Sequence, residues 1–219
     1  MSLTNEPSST PQNVSLVWIT PEAEKIISYC ARVSNPANQE NYDTADKLLR
    51  YCYKNAHWSV FEMASMCLEI NTTRAIAAQI IRHRSFSFQE FSQRYANVNE
   101  LNIQVPSFRM QDHKNRQSSH DTLTSDQQQI LQDKAKHIID NCMELYNELI
   151  DQGVAKECAR FILPMCTSTR LYMSGTIRSW IHYVQTRTDN GTQKEHRELA
   201  NQVRELLIQN IPSLQSLLA

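Results

Sequence analysis

Only three glycines occur in this chain of 219 residues, and their scarcity limits the folds and sites that it can form. Gly153, Gly175 and Gly191 lie far apart. A dinucleotide-binding fingerprint, a Walker loop and a G-x-S-x-G nucleophile elbow each need closely spaced glycines for tight turns and close backbone approach. The sequence therefore excludes these three motifs. A bound phosphate would have to be held by side chains such as arginine, or by helix N-termini.

The length and charge of the chain indicate one domain with a local anion-binding site. A chain of this length suits a single well-buried core, so we expect one domain over residues 1–219. Residues 1–13 are rich in Ser, Thr, Pro and Asn and are predicted to be a disordered tail. The formal net charge of −1 argues against a generally basic nucleic-acid-binding surface. Any positive potential must then be local, which favours a small anionic ligand.

The cysteines and the hydropathy pattern predict a cytoplasmic protein that does not enter a membrane. The six cysteines form no C-x-x-C pair, and we interpret most of them as small buried residues with reduced thiols. The sequence also shows no signal peptide and no long apolar run.

Hydrophobic periodicity predicts a mixture of strands and helices, with one long helix in the second half of the chain. The expected strands are 14–19, 64–71 and 169–174, the last ended by Gly175. The expected helices are 20–33, with Thr20 as N-cap, 43–56, one from about 73 into Arg82, 124–152, 154–163, 176–185 and 192–208. Residues 94–99 are expected to be extended, and the polar stretch 107–129 has no periodicity before the long helix begins.

The stretch from Arg82 to Tyr95 carries the strongest functional signal. It reads R-H-R-S-F-S-F-Q-E-F-S-Q-R-Y and contains three arginines and one histidine but a single carboxylate, that of Glu90. Arginine offers a planar fork of donors that matches phosphate oxygens, and its charge does not titrate away. Such a cluster indicates a phosphate-bearing small molecule or nucleic acid as its partner.

The spacing within this stretch resembles the signature of the flavin-dependent thymidylate synthases. Arg82-His83-Arg84 is followed by seven residues and then Ser92, with Glu90 two residues before the serine. Gln89 stands where the family usually has asparagine. The resemblance covers roughly residues 14–210. Further family-like segments are 31–34, 57–62, 157–164 and 178–195.

The resemblance implies both a reaction and an architecture. The reaction would be the methylation of dUMP to dTMP, with 5,10-methylenetetrahydrofolate as carbon donor, FAD as hydride carrier and NADPH as the reductant of the flavin. The fold would be α/β, with a small, mostly antiparallel sheet packed by several helices. The assembly would be a homotetramer with active sites at subunit interfaces.

The resemblance also implies roles for individual residues. Arg187 and Ser92 would be catalytic, Arg187 at the pyrimidine edge and Ser92 either as a nucleophile or only as a hydrogen-bonding group. The dUMP site would comprise Gln79, Ile80, Ile81, Arg82, Glu90, Phe91, Ser92, Gln93, Arg94, Arg160 and Arg187. The FAD site would comprise His57, Ser59, Arg82, His83, Arg84, Gln89, Glu90, Thr176, Ile177, Arg178 and His182.

Other functions have weaker support in the sequence. A nucleic-acid-binding module that uses the arginine-rich helix end is the alternative from another class, although no nucleic-acid partner is expected. Metal binding is not indicated, because paired Cys or His spacings are missing. Cys166 could suggest the cysteine nucleophile of the thymidylate synthases that lack flavin, but its neighbours do not match that family. Arg74 and Arg170 are interpreted as ion-pair partners, and His113, His120, His137 and His196 are given no function.

Overall fold

A computed structural model describes residues 12–101 and 103–218 of the protein. The strands are β1 (Asn13–Ile19), β2 (Ser65–Thr73), β3 (Ser87–Glu90), β4 (Met110–Gln111), β5 (Ser119–His120) and β6 (Ser168–Thr176). The α-helices are α1 (Ala23–Ala31), α2 (Ala45–Lys54), α3 (Arg74–Ile80), α4 (Ser125–Asp151), α5 (Lys156–Ala159), α6 (Ile177–Arg187), α7 (Lys194–Asn210) and α8 (Gln215–Leu218). Short 3-10 turns include Trp58–Glu62, Val98–Glu100 and Arg160–Ile162.

The main sheet has four strands in the order β1-β2-β6-β3, and β4 and β5 form a separate antiparallel pair. The main sheet is small and antiparallel, and helices accompany it, which confirms the predicted fold class. Side-chain contacts along β2 and β6 show the register. Tyr172 donates to Glu69 over 2.9 Å, and Arg170 donates to Asn71 over 3.0 Å.

Two compact units divide the chain. Among the described residues, the first consists of residues 12–70, 80–89 and 171–218, and the second of residues 71–79, 90–101 and 103–170. Residues 1–11 of the predicted tail lie outside the described part of the chain, and β1 begins at Asn13. The expectation of a single domain over residues 1–219 stays a prediction.

The core of the first unit is built around helix α6. Trp180 is fully buried, and its indole nitrogen donates to the carbonyl of Met66 over 3.0 Å. This bond satisfies the one polar group of the largest buried side chain. Aliphatic side chains complete this core, including Ile27, Leu49, Leu68, Ile181, Leu199, Val203 and Leu207. The burial fixes the rotation of α6 and hence the direction of its polar residues.

Helix α4 belongs to the second unit and confirms the prediction of one long helix. It has 27 residues and begins with a capping box in which the Thr124 side chain and Gln127 bond reciprocally. Its C-terminal end is followed by Gly153 at a φ of 82°, a conformation that glycine adopts without strain. Tyr146 of α4 is fully buried in a cluster with Val98 and Ala159.

Four local predictions were wrong, and each has a physical reason. Thr20 is not a helix cap, because its hydroxyl bonds to both the carbonyl and the amide of Ser65, and α1 begins only at Ala23. Gly175 does not end its strand but lies within β6. Residues 94–99 form turns that lead into a 3-10 helix, and the polar stretch 107–129, in which no element was expected before the long helix, contains the β4–β5 pair. Strand β3 was not anticipated.

The described residues contain neither a membrane-spanning helix nor a cluster of metal-binding side chains. Across residues 12–101 and 103–218, no helix combines the length and the apolar composition needed to cross a bilayer. The same residues bring no group of three or more His, Cys, Asp or Glu together as a possible metal site.

Candidate functional site

The arginine-rich segment follows directly from the end of α3. This helix ends at the buried Ile80, and the amide of His83 donates to the Ile80 carbonyl over 3.1 Å, which turns the chain away from the helix axis. Arg82 and Arg84 are exposed on either side of His83. Neither forms an ion pair with a carboxylate in residues 12–101 or 103–218, so both guanidinium groups remain available to an anionic ligand.

His83 and Arg187, both in the first unit, form a direct hydrogen bond. The Nε–H of Arg187 donates to Nε2 of His83 over 2.8 Å. The acceptor nitrogen must carry a lone pair, so this bond requires a neutral His83 with its proton on Nδ1. Burial, the Arg187 charge and His182 lower the pKa of His83 to about 4, which agrees with the neutral form. Arg187 is only partly exposed, and its Nη atoms make no hydrogen bond within the described chain.

Arg178 and His182 lie one turn apart on α6 and line a cavity of about 460 Å³ in the first unit. An ion pair joins Arg178 to Glu62, a residue in the 3-10 turn that follows His57. The remaining lining residues of the cavity are Trp58, Ser85, Ser179 and Gln185. His57 is exposed beside this turn and packs edge-on against Tyr51, with 5.7 Å between the ring centroids. The family-like segment 57–62 therefore contacts α6 through the Glu62 side chain.

Glu90 belongs to the second unit, where Arg74 and Thr169 hold its carboxylate. Its Oε1 accepts from Nη1 of Arg74 over 2.5 Å and from the Thr169 hydroxyl over 2.9 Å. Arg74 is thus an ion-pair partner, as the sequence indicated, and the ion pair is with a predicted site residue. This arrangement fixes one oxygen of the Glu90 carboxylate.

Ser92 and Arg94 lie at a shallow depression of about 370 Å³ in the second unit, which Tyr95, Lys156 and Glu157 also line. The exposed Arg94 pairs with Glu157 over 2.9 Å, and the Ser92 carbonyl accepts from the amides of Tyr95 and Ala96. These turn bonds fix the backbone at Ser92 and do not use its hydroxyl.

The other predicted residues occupy varied positions. In the second unit, Phe91 donates its amide to the Arg170 carbonyl over 2.8 Å, Gln93 is buried, and the Arg160 guanidinium lies 5.9 Å from the ring of Phe161. In the first unit, Thr176 caps α6 by accepting from the amide of Ser179 over 3.3 Å. The first unit also contains Ile80, Ile81, Ser59, Gln89 and Ile177, and the second contains Gln79.

Sequence analysis missed two buried residues next to His83 and Arg187. Tyr183 and His196 are both fully buried, and His196 Nε2 lies 3.1 Å from the Tyr183 hydroxyl. The Tyr183 ring packs edge-on against His83 at 5.0 Å. One sequence signal could have identified Tyr183, since it precedes Arg187 by four residues and so shares its helical face.

The donor set around the cavity of the first unit fits a flavin dinucleotide. Trp58 and His182 present flat rings suited to stacking, and Arg178 supplies a cation beside the N-terminal turn of α6. A pyrophosphate held in this way needs no glycine loop, in agreement with the scarcity of glycine.

Comparison with known proteins identifies the family. A family model described as "Thymidylate synthase complementing protein" matches residues 15–213. The chain belongs to this family. A probable flavin-dependent thymidylate synthase of Paramecium bursaria Chlorella virus 1 is 56% identical to this member of the family over 192 residues, which cover 88% of each chain. The flavin-dependent thymidylate synthase of Synechocystis sp. is 50% identical over 191 residues, which cover 87% of each chain.

The fold of this thymidylate synthase complementing protein family member also has a solved counterpart. A UMP/dUMP methylase, PolB from Streptomyces cacaoi bound with 5-Br dUMP, superposes with a TM-score of 0.80 over 94% of this chain and 95% of that chain. The two sequences are 24% identical, so this comparison shows a similarity of fold. The match of the family model and the two thymidylate synthase relatives confirm the family resemblance predicted from Arg82, His83, Arg84 and Ser92.

Proposed function

We propose that the protein converts dUMP to dTMP as a flavin-dependent thymidylate synthase, with 5,10-methylenetetrahydrofolate as the carbon donor. The observation that carries this proposal is the bond between Arg187 and the neutral His83, which leaves the Nη atoms of a partly buried guanidinium without a hydrogen bond to the described residues. The similarity to named thymidylate synthases at 50% and 56% identity supports the same reaction.

FAD, when bound and reduced by NADPH, would supply the hydride. His57, Ser59, Arg82, His83, Arg84, Gln89, Glu90, Thr176, Ile177, Arg178 and His182 are proposed to hold it. Within this set, the arginines would bind the phosphates, and the hydroxyl and imidazole groups would orient the rings. The open cavity beside α6 supports this assignment, because it combines a cation with aromatic surfaces.

Arg187 is proposed to act on the pyrimidine. A guanidinium at the ring edge stabilises negative charge as the N3 proton is lost or shared, which raises the nucleophilicity of C5. Because His83 accepts the Nε–H, the N–H groups on the two Nη atoms can both donate to the edge of the pyrimidine. This stabilisation grows as charge develops, so it accelerates the chemical step.

The phosphate and the ring of dUMP would be held mainly from the segment after β3. The proposed contacts are Gln79, Ile80, Ile81, Arg82, Glu90, Phe91, Ser92, Gln93, Arg94, Arg160 and Arg187. Arg94 is exposed and could exchange its pair with Glu157 for a phosphate at little cost. Ser92, with an exposed side chain, is proposed to bind or attack the ring.

Further proposals concern the assembly and the cellular setting. We expect a homotetramer with active sites at subunit interfaces, and we expect the protein to work in the cytoplasm without a nucleic-acid or membrane partner. Three co-substrates and one cofactor need more concave surface than the cavities of about 370 and 460 Å³ offer, which supports sites shared between subunits.

A single assay tests the reaction. Purified protein with FAD, NADPH, dUMP and methylenetetrahydrofolate should form dTMP, and omission of FAD or NADPH should abolish the product. A yellow protein that makes no dTMP under these conditions would contradict the proposed activity. A colourless protein whose affinity for oligonucleotides falls steeply with salt would instead favour the nucleic-acid-binding alternative.

A further inference from the structure

A buried polar pair lies behind the Arg187–His83 bond. Tyr183 and His196 are both 0% exposed, and the Tyr183 hydroxyl lies 3.1 Å from His196 Nε2. His196 comes from α7, whereas Tyr183 belongs to α6 and stands one turn before Arg187. All of these residues belong to the first unit.

The rings of Tyr183 and His196 both pack edge-on against the ring of His83. The ring centroids of Tyr183 and His83 lie 5.0 Å apart at an interplanar angle of 68°, and those of His196 and His83 lie 6.5 Å apart at 87°. Phe86 approaches His83 from another direction, with 6.4 Å between the centroids. His83 is therefore enclosed by rings, and its orientation depends on theirs.

Packing alone does not require a phenol and an imidazole at these two positions. Two apolar side chains would fill the same space without the cost of burying polar atoms. What the hydrogen bond adds is a fixed rotation of both rings, since the Tyr183 hydroxyl oxygen and His196 Nε2 have to stay within hydrogen-bonding distance. A fixed Tyr183 ring in turn limits the angles available to His83.

The electrostatics agree with this arrangement. Burial and the neighbouring charge of Arg187 lower the pKa of His196 to about 3, and burial raises the pKa of Tyr183. Both side chains are therefore neutral near pH 7, and they add no second positive charge beside Arg187. Arg187 remains the one cation in this group, with His83 as its acceptor.

We propose that Tyr183 and His196 form a positioning pair that holds the His83 ring in the orientation in which its Nε2 accepts from Arg187, and so aims the Nη edge of Arg187 at the pyrimidine. This inference rests on the proposed function. In this proposal, neither Tyr183 nor His196 contacts the substrate. They act through His83, whose Nε2 lone pair holds the Nε–H of Arg187.

The variants separate positioning from folding. Tyr183→Phe removes only the hydroxyl, His196→Leu removes the imidazole, and His196→Gln retains a group that can hydrogen-bond to the phenol. Tyr146→Phe is the matched control, because Tyr146 is also 0% exposed and also uses its hydroxyl in a hydrogen bond, to the amide of Val98, but lies in the second unit.

The first measurement is the tautomer of His83, recorded by nitrogen-15 NMR on histidine-labelled protein. The wild type and Tyr146→Phe should show a His83 ring protonated on Nδ1 alone, whereas Tyr183→Phe and His196→Leu should show a mixture of tautomers. An Nδ1-only ring in both of these variants would overturn the proposal. This readout is independent of turnover, so it decides the matter even if no dTMP is formed.

The second measurement is the single-turnover oxidation of reduced flavin with dUMP and methylenetetrahydrofolate. Tyr183→Phe and His196→Leu should each slow this step about tenfold at unchanged FAD content, with partial recovery in His196→Gln. The double variant Tyr183→Phe/His196→Leu should lose less than the sum of the two single losses, because both changes remove the Tyr183–His196 bond. Additive losses, or wild-type rates in both single variants, would overturn the pair.

Discussion

Arg74 and Glu90 form an ion pair with 2.5 Å between Nη1 and Oε1, and their side chains are 35% and 21% exposed. Strand β2 ends immediately before Arg74, and Glu90 is the last residue of β3. Arg74 and the Thr169 hydroxyl together fix the carboxylate of Glu90. The family resemblance assigns this carboxylate to both the dUMP site and the FAD site. A residue outside the family signature thus orients a residue inside it.

The first prediction concerns this pair. Arg74→Leu should lower the free energy of unfolding by about 1 kcal/mol, because a half-buried carboxylate loses a charge-assisted partner. Urea titration of the two proteins measures the difference. Lys25→Ala is the control, since it breaks an ion pair with Glu22 whose side chains are 52% and 66% exposed, and it should change little. Equal effects in both variants would contradict the structural role of Arg74.

A second prediction concerns pH. The pKa values of His83 and His196 in the folded protein are about 4 and about 3, below the ordinary value of 6.5. Between pH 6.5 and the lowered pKa values, the two histidines bind more protons in the unfolded chain than in the folded protein. Their contribution to the free energy of unfolding is therefore fully present above pH 6.5 and is lost as the pH falls. The fully buried His196 should account for about 2 kcal/mol of the loss by pH 5, and the half-buried His83, which solvent screens better, should account for less.

The variant His196→Leu isolates the contribution of His196 to this pH dependence. Its free energy of unfolding should fall less steeply between pH 6.5 and 4 than that of the wild type, whatever its value at neutral pH. His137→Leu is the control: it replaces an exposed histidine of α4, so its free energy of unfolding should change with pH as that of the wild type does. Parallel pH profiles for wild type and His196→Leu would show that the burial of His196 does not depress its protonation.

The third prediction concerns Gly175 in β6. A Cβ added there would stand 2.5 Å from Cδ1 of Phe86, and the Phe86 ring already lies 4.6 Å from that of Trp180. Gly175→Ala should therefore lower the free energy of unfolding by about 1–3 kcal/mol, because the ring has to move within a packed cluster. The double variant Gly175→Ala/Phe86→Leu should recover part of the loss in a thermal melt. A melt of Gly175→Ala that matches the wild type would argue against this close contact.

These cases show which features the sequence could and could not reveal. Helix α4 was predicted because its apolar period, its capping box and Gly153 are all local signals. Gly175 was taken for a strand end because its close neighbour, Phe86, is distant in sequence. Likewise, His196 was given no function because its burial and its bond to Tyr183 depend on the packing of α6 against α7. The signature residues were recognised from spacing, whereas their partners required tertiary structure.

The fourth prediction concerns the phosphate of dUMP. Arg94→Ala should weaken dUMP binding by about 1.5–3 kcal/mol, the value of a charge-assisted contact, as measured by calorimetry. Its unfolding free energy should change little, because the pair with Glu157 is exposed, at 66% and 53%. Cys158→Ser, an exposed change in the neighbouring helix α5, is the control and should retain wild-type affinity. If Arg94→Ala bound dUMP as tightly as the control, the phosphate assignment would be wrong.

The last prediction tests the role of Arg187 itself. Arg187→Ala removes both the charge at the pyrimidine edge and the donor to His83, so it should lower kcat by at least about tenfold while FAD content stays near that of the wild type. Arg187→Lys restores a charge without the planar fork, so it should recover only part of the rate. The readout is single-turnover oxidation of reduced flavin, compared with KM for dUMP. A loss confined to KM would mean that Arg187 binds substrate and transition state equally, and a wild-type rate in Arg187→Ala would remove it from the chemistry.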